Sequence, residues 1–290
     1  MAQGQIPRRP FGPLDVQVPI IGQGTWKMGA RGARDSEVAA LRRGIELGLT
    51  HIDTAEMYGN GASEQMVGEA IAGVPRDKLF IVSKVLPQNA TYDGTIAACE
   101  ASLRRLGTPY LDVYLLHWRG RHPLAETLRA FEDLIDAGKI LALGVSNFDI
   151  ADLEEARGLL RRHPLSCNQV LYHLRERYLE GPLLPYCQQH RIALVGYSPF
   201  GTESFPGPAS GAGRALAAVA ARHGTGTTPR QVALAFLVRQ APLFAIPKAA
   251  SAEHTEENAG ALWVRLTPAD IQELDQAFPR TRQGGSLPMG

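Results

Sequence analysis

Along this 290-residue chain two hydrophobic rhythms take turns. Short runs rich in Val, Ile and Leu at 20–25, 51–55, 79–85, 111–117, 140–147, 166–172, 192–198 and 243–248 read as buried strands. Between them apolar residues recur at helical spacing, as Val38, Leu41, Ile45 and Leu49 do. Helices are expected near 34–48, 63–72, 91–106, 123–137, 150–162, 182–190, 213–223 and 252–261, with extra ones over 229–239 and 268–278. Gly48, Gly73 and Gly138 sit where helices should stop, and Asp35 or Ser36 offers the first helix an N-cap. Residues 14–18 alternate at period two and, with the turn at Gly12 and Pro13, predict a hairpin before the main fold.

Strands bracketed by amphipathic helices argue for a parallel sheet. Eight such units over about 260 residues fit a closed α/β barrel, the (β/α)8 or TIM barrel, better than an open sheet. One domain over 1–290 is expected, with the hairpin strand at about 14–18, the barrel at about 20–261 and a C-terminal helix and tail at about 268–290. The rival is a Rossmann dehydrogenase, but no GxGxxG follows any strand, and 210–214 (SGAGR) lacks the third glycine.

Composition changes this picture little. Hydrophobic residues make up 44% and charged ones 20%, ordinary for a globular chain. A formal net charge of +1 gives no reason to expect nucleic acid or a membrane surface as partner. The three cysteines, Cys99, Cys167 and Cys187, are scattered and suggest a reducing compartment. The first thirteen residues lack the apolar stretch of a signal peptide, and no run of 18 apolar residues occurs. A cytoplasmic monomer without a metal site is expected.

Candidate chemistry gathers at strand ends. The second, third and fourth runs deliver Asp53, Lys84 and His117 near their C-terminal ends, and Tyr58 follows Asp53 by five positions. Active sites of βα folds sit at those ends. Each residue alone has a plainer reading: a surface tyrosine, a loop-capping aspartate, a satisfied core histidine. Lys84 is harder to dismiss, because a buried ammonium needs an anion and Asp53 on the neighbouring strand offers one. Together the four suit protonation of an oxygen that acquires negative charge as hydride adds to a carbonyl. Lys84 would lower the phenol pKa of Tyr58, Asp53 would keep the lysine charged, and His117 would hydrogen-bond the carbonyl.

The run 52–59 (IDTAEMYG), 138–140 (GKI), 144–148 (GVSNF), Asn168-Gln169 and 246–248 (IPK) resemble the aldo-keto reductase family over nearly the whole chain. The family's Asp–Tyr–Lys–His tetrad falls on Asp53, Tyr58, Lys84 and His117. More narrowly, 55–58, 115–118 (LLHW), 168–173 (NQVLYH) and 246–250 (IPKAA) are similar to bacterial reductases of methylglyoxal and related short aldehydes. The resemblance implies NADPH or NADP, with NADH possible, bound without a Rossmann fold. Ser146, Asn147 and Gln169 would hold the carboxamide, and Tyr197 would stack on the nicotinamide. The loop Ser198, Pro199, Phe200, Gly201 and Thr202 would wrap the pyrophosphate. Ile246, Pro247 and Lys248 would reach the 2′-phosphate side, with Ala249, Ser251 and His254 beside it, and Glu257 and Asn258 would hold the adenine.

Two positions depart from the family pattern: Ala249 stands where many members have Ser or Thr, and His254 where they have Arg. A histidine only partly replaces the bidentate grip of arginine on phosphate, and the Ser251 hydroxyl is a candidate to compensate. Trp26, Met57 and Trp118 are candidate substrate-pocket walls, although core packing would place them equally well. A short polar C-terminus at 281–290 suggests an open pocket for small carbonyl compounds. Two other readings stand beside reduction: a Schiff-base aldolase using Lys84, and a cofactor-binding regulatory module with little turnover.

Overall fold

The computed structural model describes residues 6–29, 33–202, 205–280 and 287–288. Most of the C-terminal tail at 281–290, and 203–204 of the glycine-rich loop, lie outside the described residues. β1 (Arg8–Pro10) and β2 (Gln17–Pro19) form an antiparallel hairpin. The expected strand at 14–18 is thus displaced toward Pro19: Leu14 belongs to the turn, its N–H donating to the Phe11 carbonyl. What sets the register is burial, since Phe11 and Val18 are the hairpin residues wholly removed from solvent. Gly12 makes the turn with φ +61, and a Cβ there would lie 2.2 Å from the Ser166 carbonyl oxygen.

The main sheet runs β3 (Gln23–Gly24), β4 (His51–Asp53), β5 (Phe80–Val85), β6 (Leu111–Leu116), β7 (Ile140–Ser146), β8 (Leu165–Leu171), β9 (Ala193–Tyr197) and β10 (Leu243–Ala245), each parallel to its sequence neighbour. The circle closes where Gly22 N–H donates to Ala245 O at 2.8 Å and Gly24 N–H to Pro247 O at 3.0 Å. Gly24 permits that approach, because a Cβ would meet Ile246 O at 2.6 Å. This is the (β/α)8 barrel. Around it lie α1 (Arg34–Glu46), α2 (Ala62–Ile71), α3 (Tyr92–Leu106), α4 (Leu124–Asp136), α5 (Ile150–Leu159), α6 (Leu183–His190), α7 (Gly211–Arg222), α8 (Pro229–Leu237), α9 (Ala252–Gly260) and α10 (Pro268–Ala277). Side chains of Thr91, Asp149, Ser210, Thr228, Ser251 and Thr267 cap six of them. Helix α1 begins at Arg34 without a side-chain cap, so neither Asp35 nor Ser36 plays that part; Ser36 Oγ instead donates back to Ala33 O. Among the described residues no helix is long and apolar enough to cross a membrane.

Two apolar layers follow from the period of two. Outward residues such as Ile52, Ile81, Tyr114 and Leu143 pack under the helices. Inward ones, among them Phe80, Val82, Val113, Leu115, Cys167, Val195 and Phe244, fill the barrel. Phe11 plugs its bottom, with ring centroids 4.8 Å from Phe80 and 5.0 Å from Phe244. His51 stands edge-on to Phe80 in the same layer, where burial first, and then the charge of Lys84, push its pKa down to about 3. Continued upward, the inward alternation passes from His51 to Asp53, from Val82 to Lys84 and from Leu115 to His117. The wall therefore turns polar at its C-terminal end.

Phe11→Ala should cost about 3–5 kcal/mol of folding stability by emptying the plug, which chemical denaturation will measure. A loss below about 1 kcal/mol would mean that the hairpin does not seal the core.

Candidate active site

The strand order β4–β5–β6 puts the three inward groups side by side. Lys84 Nζ donates to Asp53 Oδ1 at 2.6 Å, to the Thr54 carbonyl at 2.8 Å and to the Tyr58 hydroxyl at 3.3 Å. Asp53 is 1% exposed and Lys84 fully buried. Tyr58 opens a short 3-10 turn, Tyr58–Gly61, which folds it back over the lysine. Its ring meets that of His117 edge-on, with centroids 5.7 Å apart. All four residues of the expected constellation are therefore together.

Burial shapes their proton affinities. It raises Asp53 above the usual carboxylate range, against the pull of Lys84 and Gln169. Burial alone would lower Lys84, but the Asp53 carboxylate and then Tyr58 reverse this and hold the ammonium charged. Tyr58 departs from expectation. Burial raises its pKa above the ordinary phenol value, and the opposing pull of Lys84 does not prevail. Burial is the larger effect, and the negative charge of Asp53, in contact with the ammonium, adds to it. His117 is pushed down to about 2, by burial first and by Lys84 second, so its ring is neutral.

Above this floor opens a cavity of about 380 Å³. Asp53, Tyr58 and His117 line its base, and Trp26, Met57 and Trp118 line it together with Thr25. Trp26 and Met57 keep 45% and 36% of their surface exposed, which places them at a rim rather than in the core. A larger hollow of about 670 Å³ at the ends of α2 and α3 is a poorer candidate. Its Arg34, Arg76 and Arg105 are already paired with Glu69, Asp112 and Glu64.

Ser146, Asn147, Gln169, Tyr197, Ser198, Pro199, Thr202, Ile246 and Lys248 line the same 380 Å³ cavity. Asn147 and Ser198 hold left-handed backbone, φ 61 and 50, immediately past β7 and β9. Such strain in non-glycine residues gathers at functional sites. Asn147 Nδ2 donates to the His117 carbonyl at 3.2 Å, and Tyr197 OH donates to Asn147 Oδ1 at 3.0 Å. Amides and a hydroxyl at strand ends, beside a flat tyrosine ring, suit a nicotinamide: polar atoms for its carboxamide and an aromatic face for its ring.

The other candidates lie outside that cavity. Phe200 and Gly201 line an adjoining hollow, while Pro247, Ala249 and Asn258 flank a small cleft behind the barrel's closing strand. Ser251 caps α9, its Oγ accepting the His254 N–H at 3.3 Å, and the His254 side chain is exposed beside it. Glu257 is engaged elsewhere, accepting from Thr228 Oγ1 at 2.8 Å.

Several contacts have no signal in the sequence. Gln169, expected to face a carboxamide, donates to Asp53 Oδ2 at 2.7 Å across 116 positions of chain. Ser63 Oγ donates to Thr25 Oγ1 at 2.8 Å, and Thr25 Oγ1 to Asp53 O at 3.0 Å, a hydroxyl cluster behind the tetrad. Only closure of the barrel brings such groups within reach.

Comparison with known proteins points the same way. The description of the aldo/keto reductase family matches residues 20–278. The methylglyoxal reductase YeaE of Escherichia coli (strain K12) is 47% identical over 276 residues, spanning 95% of this chain and 96% of that protein. A 9,11-endoperoxide prostaglandin H2 reductase of Trypanosoma cruzi is 33% identical over 274 residues, 93% of this chain and 91% of that one. An aldo-keto reductase from Klebsiella pneumoniae, crystallised with NADPH, superposes with a TM-score of 0.89 at 43% identity, covering 99% of this chain and 100% of that one. With a matching barrel, a matching length and the tetrad assembled at the strand ends, the chain belongs to the aldo/keto reductase family.

Proposed function

We propose that the protein reduces aldehydes and ketones with NADPH, that Tyr58 is the proton donor, and that small aldehydes such as methylglyoxal are its substrates. The observation that carries this reading is the buried Lys84 ammonium, 2.6 Å from Asp53 and 3.3 Å from the Tyr58 hydroxyl, two groups that line a cavity shared with Trp26, Met57 and Trp118. When bound, NADPH supplies the hydride. Ser146, Asn147 and Gln169 would hold its carboxamide, Tyr197 its ring, the 198–202 loop its pyrophosphate, and Lys248 with the α9 N-terminus its 2′-phosphate. Glu257 and Asn258 would border the adenine.

Tyr58 then gives its hydroxyl proton to the carbonyl oxygen as negative charge develops there. Lys84 stabilises the phenolate left behind, and Asp53 keeps Lys84 charged and aimed. His117, neutral, offers one N–H to the same oxygen and orients it. Trp26, Met57 and Trp118 receive the remainder of the substrate. Support for the substrate class comes from the name of the Escherichia coli relative and from the modest cavity volume. A Schiff-base role for Lys84 is disfavoured, because that chemistry needs a free amine and the Asp53 contact favours the ammonium.

Tyr58→Phe should lower kcat/KM for methylglyoxal by about 10² to 10⁴ and leave NADPH affinity, followed by fluorescence quenching, unchanged. Reduction at the parental rate would rule Tyr58 out as the acid. For the cofactor, Lys248→Ala should raise the KM for NADPH about tenfold or more with little change for NADH. Equal effects on both would remove Lys248 from the 2′-phosphate.

The pH dependence has a definite sign. Reduction needs protonated Tyr58, whose raised pKa keeps it protonated through neutrality, and His117 stays neutral above about 2. The kcat/KM profile should therefore be flat from about pH 6 to about pH 9. A step near pH 6.5 that disappears in His117→Gln would show that this histidine titrates in the working range.

A further inference from the structure

Glu56 sits between Asp53 and Tyr58 on the loop after β4, and the mechanism above does not use it. Its backbone N–H donates to the Lys84 carbonyl at 3.3 Å. Its carboxylate Oε1 accepts two more hydrogen bonds, from Leu86 N–H at 2.6 Å and Asn89 Nδ2 at 3.0 Å. Leu86 is the cap residue of the 3-10 turn Pro87–Asn89 that follows β5. That turn abuts the loop after β6, which carries His117 and Trp118: a Cβ added to Gly120 would lie 2.5 Å from Pro87 Cβ. One carboxylate oxygen thereby joins the loop that bears Met57 and Tyr58 to the loop leading from Lys84, and through it to the loop from His117.

We infer that Glu56 is a positioning residue for proton transfer, holding the Tyr58 loop in register with Lys84. The inference rests on Tyr58 being the proton donor. The need is geometric. Tyr58 belongs to a short 3-10 turn rather than a strand, and its side chain is placed by a 3.3 Å contact of its hydroxyl to Lys84 and an edge-on contact of its ring with His117. Displacements of about 1 Å from reacting geometry cost about a hundredfold in rate. A loop tied down two residues before the tyrosine, by an acceptor that is itself only half-buried, limits that displacement. Both side-chain bonds end on the same oxygen, so the carbonyl oxygen of glutamine can accept both, whereas alanine removes both.

The test uses the full chain, methylglyoxal and NADPH. Glu56→Ala should lower kcat about ten- to a hundredfold, with NADPH dissociation constant and thermal midpoint close to the parent's. Glu56→Gln should restore kcat to within about threefold, and Asn89→Ala, which removes one bond, should fall between. In a Tyr58→Phe background Glu56→Ala should bring no further loss, since the group being placed is gone. Parental kcat in Glu56→Ala, equal losses in the Ala and Gln variants, or a full further loss in the Tyr58→Phe background would each overturn the inference. If Glu56→Ala does not fold, Asn89→Ala with a parental kcat overturns it and with an intermediate kcat supports it. A Tyr58→Phe variant as active as the parent would sink the proton-donor reading itself, a result distinguishable from failure of the Glu56 role alone.

Discussion

An ammonium enclosed in a barrel wall must find an anion. Lys84 has no contact with solvent, and its nearest counter-charge, Asp53, comes from the neighbouring strand at 2.6 Å. Removing one partner of such a pair costs about 3–5 kcal/mol, because the other is left buried and unpaired. The pair therefore ties the register of β4 to that of β5 as well as serving the site. Gln169 from β8 completes the Asp53 carboxylate from across the barrel, and the Thr54 carbonyl accepts a second hydrogen bond from the lysine. The Tyr58 hydroxyl then meets a charge already fixed in place.

The same interior that makes the pair obligatory also sets its proton chemistry. A phenol beside a lone ammonium would acidify, but here burial of the Tyr58 hydroxyl outweighs the lysine, and the Asp53 carboxylate adds to that effect. Tyr58 consequently keeps its proton more tightly than a free phenol. For the proposed proton transfer, the ion pair would serve less to release a proton at rest than to accommodate the phenolate afterwards. His117 is governed by the same two influences in the same order, burial and then the lysine, and they keep it neutral. In the proposed reaction a neutral imidazole would orient the carbonyl without competing with Tyr58 for the role of acid.

The barrel divides labour by depth. Phe11, Phe80 and Phe244 close the bottom, Val82, Val113 and Leu115 fill the middle, and the polar layer sits above them. Loops beyond the strands complete the cavity, and there the left-handed residues Asn147 and Ser198 occur. At the far side of the cavity, exposed Lys248 stands just before the Ser251-capped N-terminus of α9. Ala249 follows the lysine, and the exposed His254 lies in the first turn of that helix.

Alternation of period two and period near 3.6 was enough to establish a (β/α)8 barrel, because both rhythms record which face of each element is buried. The same alternation placed Asp53, Lys84 and His117 at strand ends, and family motifs linked Tyr58 to them. Short-range turn chemistry was legible less evenly: the 14–18 pattern proved to be largely turn, since the long-range burial of Phe11 and Val18 decided the hairpin register. Only the closed barrel revealed that Gln169 meets Asp53, that Glu257 is held by Thr228, that Glu56 joins two loops and that burial outweighs the lysine at Tyr58. These depend on distances between residues far apart in the chain and on how much water the packed site excludes. A linear pattern encodes which faces are buried, but the contacts and the electrostatics arise only when the strands close into a ring.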